Sequence, residues 1–118
     1  MDLFDTTQTG LERALLGSSR RQEAIAQNIA NVNTPGYRRQ DVDFQSALAA
    51  AWDNGKASVA RVAPAMETDQ SAVMRVDGSS VDIDNEAASQ AKNGLQYEAI
   101  SSVMKARVAI LRSAIGGM

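Results

Sequence analysis

The side chains that most often perform chemistry in proteins are missing from this sequence. Its 118 residues contain neither His nor Cys, which removes the commonest general base near neutral pH, the commonest transition-metal ligand and the most nucleophilic thiol. Acidic groups remain near Gly78, at Asp77, Asp82, Asp84 and Glu86. A calcium loop requires the order Asp-x-Asp-x-Asp-Gly with Glu at its twelfth position, and the spacing here does not match. We therefore predict no enzyme, no cofactor and no metal site, and interpret these carboxylates as capping and turn residues.

Charge and hydropathy exclude two further classes of partner. The formal net charge is -2, so the chain lacks the basic surface that nucleic acid requires. Two short basic pairs, Arg20-Arg21 and Arg38-Arg39, are interpreted as solvated side chains or as salt-bridge partners of acidic groups on neighbouring subunits. No apolar run approaches the roughly 18 residues that span a bilayer, and the acidic N-terminus is unlike a secretory signal. We predict no nucleic-acid binding, no lipid insertion and no cleaved signal peptide.

Residues 4–32 have the apolar pattern of a long helix. The pattern advances in alternating steps of four and three, the spacing of a heptad seam, through Phe4, Gln8, Leu11, Leu15, Ser18, Gln22, Ile25, Ile29 and Val32. Two polar positions, Ser18 and Gln22, interrupt this seam beside Gly17, where we expect close backbone approach or local bending. A Thr-Pro-Gly sequence at residues 34–36 then ends the helix, because Pro disfavours helical geometry in the preceding residue and Gly permits a tight turn.

The middle of the chain, residues 34–83, is different in kind. Short alternating patterns over residues 58–63 and 73–76 predict extended segments, and residues 81–83 are expected to pair with the second of these in a small hairpin around an Asp-Gly turn. The alanine-rich residues 44–52 instead favour a helical turn or two. We expect a loosely ordered region with short strands.

A second long helix closes the chain. Asp84 is the expected N-cap, and Glu86 suits the positive end of the helix dipole. The helix carries an apolar stripe at Tyr97, Ser101, Met104, Val108, Leu111 and Ile115. Four further positions widen that stripe beyond a two-helix seam, namely Ile100, Val103, Ile110 and Ala114. We expect Asn93-Gly94 to interrupt this helix ahead of the stripe, and the Gly116-Gly117 pair to end it.

These patterns predict one mainly α domain. Two long terminal helices, residues 1–33 and 84–118, pack as an antiparallel, coiled-coil-like pair, with the irregular middle of residues 34–83 between them. The pair covers one face of each helix, so the broad apolar arc of the second helix needs neighbours from other copies, in a closed bundle or an open head-to-tail polymer. The predicted assembly interface comprises Leu11, Leu15, Ile25, Ile29, Val32, Tyr97, Ile100, Met104, Val108, Leu111 and Ile115.

One local motif is specific enough to indicate a family. The helix end and the turn after it contain Asn28, Asn31, Asn33, Thr34, Pro35, Gly36 and Tyr37. This sequence resembles the N-terminal signature of the bacterial flagellar axial proteins, the family of rod, hook and hook-associated subunits. Residues 77–86 and 93–99 resemble the C-terminal pattern of its proximal-rod members, and the short middle fits a subunit without the large outer domain of distal rod and hook proteins.

The resemblance implies a structural role. It predicts a subunit of the proximal rod of the flagellar basal body, whose copies stack helically into a hollow drive shaft across the periplasm. The implied partners are other copies, other rod proteins, the membrane (MS) ring, rod-adaptor proteins and the type III export apparatus. Export would proceed without a cleaved signal peptide, and the terminal regions would become ordered on assembly.

Two other interpretations remain open at this point. A different flagellar rod subunit would share the N-terminal motif. A cytoplasmic helical chaperone or adaptor of the flagellar export system would also expose an apolar groove, but it would be a folded, soluble dimer when purified alone.

Overall fold

The computed structural model describes residues 5–76, 78 and 80–116. Its elements in chain order are α1 (Thr6–Ala30), β1 (Gln40–Asp41), α2 (Phe44–Trp52), α3 (Lys56–Ala60), β2 (Glu67–Thr68) and α4 (Ile83–Gly116). The prediction of a mainly α fold with two long terminal helices and a short irregular middle is confirmed. Phe4 of the predicted seam, Asp77 of the predicted turn and Gly117 of the predicted helix end lie outside the described residues.

The long helices α1 and α4 run antiparallel along each other. Near one end of the pair, the Arg107 guanidinium lies 3.1 Å from the Asp5 carboxylate. Near the middle, the Asn93 amide donates to the Ser18 carbonyl at 2.9 Å. A later residue of α1 therefore lies beside an earlier residue of α4, as expected for two antiparallel helices. Asp5 also accepts a hydrogen bond from the backbone N–H of Gln8 at 2.8 Å, which caps α1 at its start.

The predicted interruption of α4 is wrong. The helix continues through Asn93-Gly94, because the Asn93 side chain is buried against α1 and its amide bonds across the interface to Ser18 and Gln22. The start of α4 also differs from the prediction. The carboxylate of Asp82 accepts the N–H of Asp84 at 3.0 Å, so Asp82 caps the helix while Asp84 lies in its first turn.

A neighbouring face of α1 carries α2. The Phe44 ring lies over Gly17 so closely that a Cβ at Gly17 would be 2.2 Å from the ring's Cγ. Trp52 lies over Gly10, where a Cβ would be 2.6 Å from the indole Cζ3. Because Gly10 and Gly17 are seven residues apart, they share one face of α1. The sequence predicts close backbone approach or bending beside Gly17, but the group that approaches is the Phe44 side chain at the start of α2.

The small core of the middle region lies between α1, α2 and α3. Its buried members are Ala24, Val42 and Phe44 in one cluster, and Ala51, Val59 and Val62 in a second. Leu48 packs against both clusters. The predicted helix over residues 44–52 is confirmed. The extended segment predicted over residues 58–63 is wrong, because Val59 and Val62 are three residues apart and reach one core from a helical turn.

The predicted hairpin is also wrong. The two described strands lie elsewhere, with β1 pairing antiparallel to β2 in the register Gln40↔Thr68 and Asp41↔Glu67. Residues 73–75 are irregular, and Ile83 already belongs to α4. The backbone before α4 instead bonds to the turn after α1, through the Ser80 N–H and the Tyr37 carbonyl at 3.0 Å. The backbone of Ser80 therefore pairs with a residue more than 40 positions earlier in the chain, and not with residues 73–76.

Candidate functional site

The motif at the end of α1 forms a capped helix end followed by a tight turn. Asn31 lies at the C-cap, where its side-chain amide donates to the Gln27 carbonyl at 2.8 Å and its Oδ1 accepts the Thr34 hydroxyl at 3.1 Å. The Tyr37 N–H then donates to the Thr34 carbonyl at 3.2 Å. With Pro35 second in the turn and Gly36 third at a φ of 77°, the geometry is that of a type II turn. The predicted helix stop is confirmed.

Asn28 connects this turn to the rest of the molecule. Its side chain is fully buried and pairs with the backbone of Gln40 in both directions. The Gln40 N–H donates to Asn28 Oδ1 at 2.8 Å, and Asn28 Nδ2 donates to the Gln40 carbonyl at 2.9 Å. The same Nδ2 reaches Glu86 Oε2 at 3.2 Å. A side-chain amide offers two N–H donors and an acceptor oxygen at one position, so Asn28 joins α1, β1 and α4.

Glu86 is a buried carboxylate with a dedicated counterion. Its side chain is 1% exposed, and Arg39 Nε donates to its Oε1 at 2.8 Å. Arg39 also pairs with Asp69, and its backbone N–H donates to Ser80 Oγ at 2.8 Å. A buried charge requires a partner, and Arg39 provides one for Glu86. Because Arg39 directly precedes β1 and also pairs with Asp69, it connects the first turn of α4 to β1 and to the segment that follows β2. We call Asn28, Arg39, Asp69 and Glu86 the junction cluster.

The two basic pairs each divide between the interior and the surface. Arg39 belongs to the junction cluster, whereas Arg38 is exposed. Arg21 contacts the Val42 carbonyl and lies 4.8 Å from the centre of the Phe44 ring, whereas Arg20 forms a surface pair with Glu23. Further contacts of Arg21 are with Asp41 and Gln45. The interpretation of these arginines as solvated or intersubunit groups is therefore wrong for one member of each pair.

Three groups in or beside the junction cluster have shifted pKa values. Burial raises the pKa of Tyr37, and the charge of Glu86 adds to the effect. Burial alone would lower the pKa of Arg39, but hydrogen bonds to Glu86 and Asp69 outweigh it and raise that pKa. The Ser71 hydroxyl lowers the pKa of Asp69, with further contributions from the Ser71 amide and Arg39, against the opposing effect of burial. The folded state therefore favours charged Asp69 and charged Arg39.

We expect Asp69 to make the folded chain sensitive to acid. Its pKa is lower in the folded state than the ordinary value of 3.8, so its contribution is complete above that value and is lost as the pH falls through the lowered folded pKa. Asp69→Asn should therefore reduce the loss of unfolding free energy between about pH 6 and about pH 3, measured by urea titration. Asp53→Asn, at an exposed position, is the control and should retain the wild-type dependence. Equal acid sensitivity of Asp69→Asn and the wild type would contradict this expectation.

The predicted assembly residues lie on several faces. Ile25 is buried within the subunit at 2% exposure, while Tyr97, Val108 and Ile115 are 45%, 42% and 66% exposed. The remaining positions are half-buried, and they are Leu11, Leu15, Ile29, Val32, Ile100, Met104 and Leu111. Their participation in assembly stays a prediction.

Three of these residues line one groove, which runs along α4 and meets α1 at Leu15. The groove has a volume of about 600 Å3, and Leu15, Met104 and Val108 line it together with Lys105 and Arg112. Toward the middle of the helix pair, Tyr97 lines a smaller depression with Ser18 and Gln22. Ile100 lies on the α2 side instead, near Phe44 and Leu48.

The far end of α4 extends past the start of α1. Arg107 is level with Asp5, which directly precedes α1, so residues 108–116 of α4 continue for about 13 Å beyond it. We call residues 108–116 the overhang. Ile110 and Ile115 in the overhang are 67% and 66% exposed.

The sequence alone did not indicate that Arg39 pairs with Glu86, or that Gly10 and Gly17 lie under the aromatic rings of α2. The sequence around Glu86 indicates only a favourable charge at a helix start, whereas its burial needs a cation 47 residues away. The glycines carried a usable signal. Gly10 and Gly17 are spaced by two helical turns, and the aromatic residues Phe44 and Trp52 are spaced by a similar distance on α2.

The described part of the chain has neither a membrane-spanning helix nor a cluster of metal ligands. None of its helices has the length and apolarity needed to cross a membrane. Within the same residues, no group of three or more acidic side chains is placed to hold a metal ion.

Comparisons with known proteins agree on one family. A family model described as "Flagella basal body rod protein" matches residues 11–38, which include the capped helix end and the turn. The flagellar basal body rod protein FlgB of Escherichia coli is 31% identical, covering 96% of this chain and 98% of the relative. FlgB of Salmonella typhimurium is 33% identical over 83% of this chain and 84% of the relative, and FlgB of Bacillus subtilis is 29% identical over 99% and 98%. The chain therefore belongs to the FlgB family of flagellar basal body rod proteins.

Proposed function

We propose that this chain is a structural subunit of the proximal rod that polymerises helically through its terminal helices. The polymer forms a hollow drive shaft that transmits motor torque from the membrane ring to the distal rod and hook. In each subunit, the terminal parts, residues 1–33 and 84–118, form the axial core. Residues 34–83 form a small middle region that belongs to the same structural domain. Membership of a rod protein family supports this role, as does the shape of the molecule, which extends 65 Å in its longest dimension and 14 Å in its shortest.

The observation that carries the proposal is the exposure of apolar side chains on α4 away from α1. Leu95, Val103 and Ile110 are 68%, 49% and 67% exposed, although α4 already packs one face on α1. Burying such a side chain completely contributes about 1.5–3 kcal/mol, so a helix that leaves several of them in water gains stability when neighbouring helices cover them. Assembly into a wall of helices would provide that cover on more than one side.

The proposed partners are other copies of this chain, other rod proteins, the membrane (MS) ring with rod-adaptor proteins, and the type III export apparatus. The proposed location is the periplasm-spanning rod, reached by export without a cleaved signal peptide. The relatives cited above are all named FlgB. They therefore give no support to the two alternatives, a different flagellar rod subunit and a cytoplasmic chaperone.

Two substitutions on the overhang test the proposal. Val108→Asp and Ile115→Asp place a charge on exposed apolar positions, so the subunit should fold normally while assembly fails. In a strain that depends on the altered chain for its rod, we expect normal protein levels by immunoblot, no assembled rods by electron microscopy of basal bodies, and no swimming in soft agar. Ile115→Leu is the matched control and should swim, because it keeps the volume and apolarity of the side chain. Normal swimming by both Asp variants would refute the proposed function.

A further inference from the structure

We infer that the groove lined by Leu15, Met104 and Val108 receives the first turn of α4 from a second copy of this chain. The contact would be head-to-tail. It would join the end of one subunit that carries the overhang to the end of the next subunit that carries the junction cluster. This inference rests on the proposed function and specifies a surface that would be used in assembly.

The groove has the chemistry of a docking site for an acidic, partly apolar segment. Its apolar residues, Leu15, Met104 and Val108, are flanked by Lys105 and Arg112. These two cations are seven residues apart, so they lie on one side of α4 about 10 Å apart along its axis. Within residues 5–76, 78 and 80–116, neither cation has an ion-pair partner. Both are exposed and available to carboxylates from outside the subunit.

The first turn of α4 presents the complementary surface. Ile83 is 45% exposed, and it stands between Asp82 and Asp84, which are both exposed. An apolar side chain flanked by two carboxylates thus matches an apolar groove flanked by two cations. Such complementarity steers association and fixes register between subunits.

The geometry excludes the same contact within one subunit. Asp84 and Arg112 are separated by about 42 Å along α4, so the acidic turn must come from another copy. When two copies meet head-to-tail, the contact is heterologous and leaves one free surface of each kind on every assembled pair, whereas an antiparallel pair of copies would use both contacts reciprocally and close a dimer. A heterologous contact can propagate, whereas two identical surfaces facing each other would close a dimer.

Charges at helix ends also have an explanation within one subunit. Acidic residues stabilise a helix N-terminus and basic residues a C-terminus through the helix dipole. The experiment must therefore detect the contact between copies directly, rather than only the effect of removing a charge.

Disulfide trapping provides that direct measurement, since the chain contains no natural Cys. We expect Asp84→Cys with Arg112→Cys, in cells that assemble rods and after mild oxidation, to give dimers and larger oligomers on a non-reducing gel. Each single-Cys variant should stay monomeric. The matched control is Asp84→Cys with Lys92→Cys, which places two exposed thiols on the same helix outside the groove and should give no oligomers. Trapping requires Cα atoms within about 7 Å, so no disulfide can form within one subunit in either double variant.

Charge exchange gives an independent measurement. Lys105→Glu with Arg112→Glu should reduce the number of flagella per cell by about tenfold, as expected for losing two exposed ion pairs. Asp82→Asn with Asp84→Lys, in which Asn retains the helix cap, should restore assembly when combined with the Glu variants. The dipole explanation predicts no restoration, because each end of the helix would then carry the unfavourable charge.

Several outcomes would overturn the inference. These are the absence of oligomers from the groove pair, oligomers that stop at the dimer, cross-links to a different protein alone, or failure of the charge exchange to restore assembly. If any of these occurs while Ile115→Asp still blocks rods, the head-to-tail contact is wrong and the proposed function stands. If Ile115→Asp and Val108→Asp both swim normally, the proposed function itself fails.

Discussion

Arg39→Met is expected to lower the free energy of unfolding by about 3–5 kcal/mol, because it leaves a buried carboxylate without its cation. Glu86 is 1% exposed, and its Oε1 accepts the Arg39 Nε–H at 2.8 Å. The side chain of Asn28 also contacts Glu86, at 3.2 Å, but an uncharged amide does not compensate a full negative charge. We expect the loss to appear as a lower midpoint in urea unfolding of the purified full-length chain, followed by far-UV circular dichroism.

The chain provides a closely matched control for this measurement. Arg38→Met changes the preceding residue, which is exposed, and should alter stability by less than about 0.5 kcal/mol. Combining Arg39→Met with Glu86→Gln should recover part of the loss, since the buried charge is then removed. If Arg39→Met and Arg38→Met unfold alike, or if Glu86→Gln brings no recovery, the buried pair does not have the importance assigned to it.

Gly17→Ala is the second change with a large expected effect. A Cβ at this position would lie 2.2 Å from Cγ of Phe44 and 2.4 Å from its Cδ1. The ring cannot move aside easily, because it is 3% exposed and packs with Ala24 and Val42 in the core. The new methyl group must therefore displace α2 from α1, and we expect a loss of about 3 kcal/mol, the upper part of the range for overpacking.

The control for Gly17→Ala predicts a change of opposite sign. Gly94 lies within α4, and a Cβ there would meet no atom within 4 Å. Gly94→Ala should therefore raise stability by about 0.5–1 kcal/mol through helix propensity alone. Both variants are measured by the same urea titration of the full-length chain. Stabilisation by both substitutions would mean that Phe44 does not pack on Gly17 as described.

The parts of the fold that could be predicted are those encoded by local periodicity. Alternating steps of three and four along residues 4–32 indicated a long helix, and the Thr-Pro-Gly sequence indicated where it ends. The alanine-rich stretch of α2 was identified through propensity. Each of these signals acts over a few residues, so neighbours in sequence suffice to detect it.

The parts that could not be predicted depend on partners distant in sequence. The small and β-branched residues of 58–63 suggest an extended segment, and only the core reached by Val59 and Val62 decides in favour of a helical turn. Asn93 next to Gly94 suggested a break in α4, but burial of Asn93 against Ser18 keeps the helix continuous. The pairing of Arg39 with Glu86 joins residues 47 positions apart, and no spacing rule connects them.

The packing of two glycines on α1 against two aromatic rings of α2 has a mechanical consequence for the subunit. The backbones of α2 and α3 adjoin α1, whereas among the described elements the backbone of α4 adjoins α1 alone. The helix α1 thus acts as a strut to which α2, α3 and α4 all attach. A bending force applied to the middle region would reach α4 through this strut and through the Arg39–Glu86 pair, so the rigidity of the subunit depends on the stiffness of one helix and on one buried ion pair.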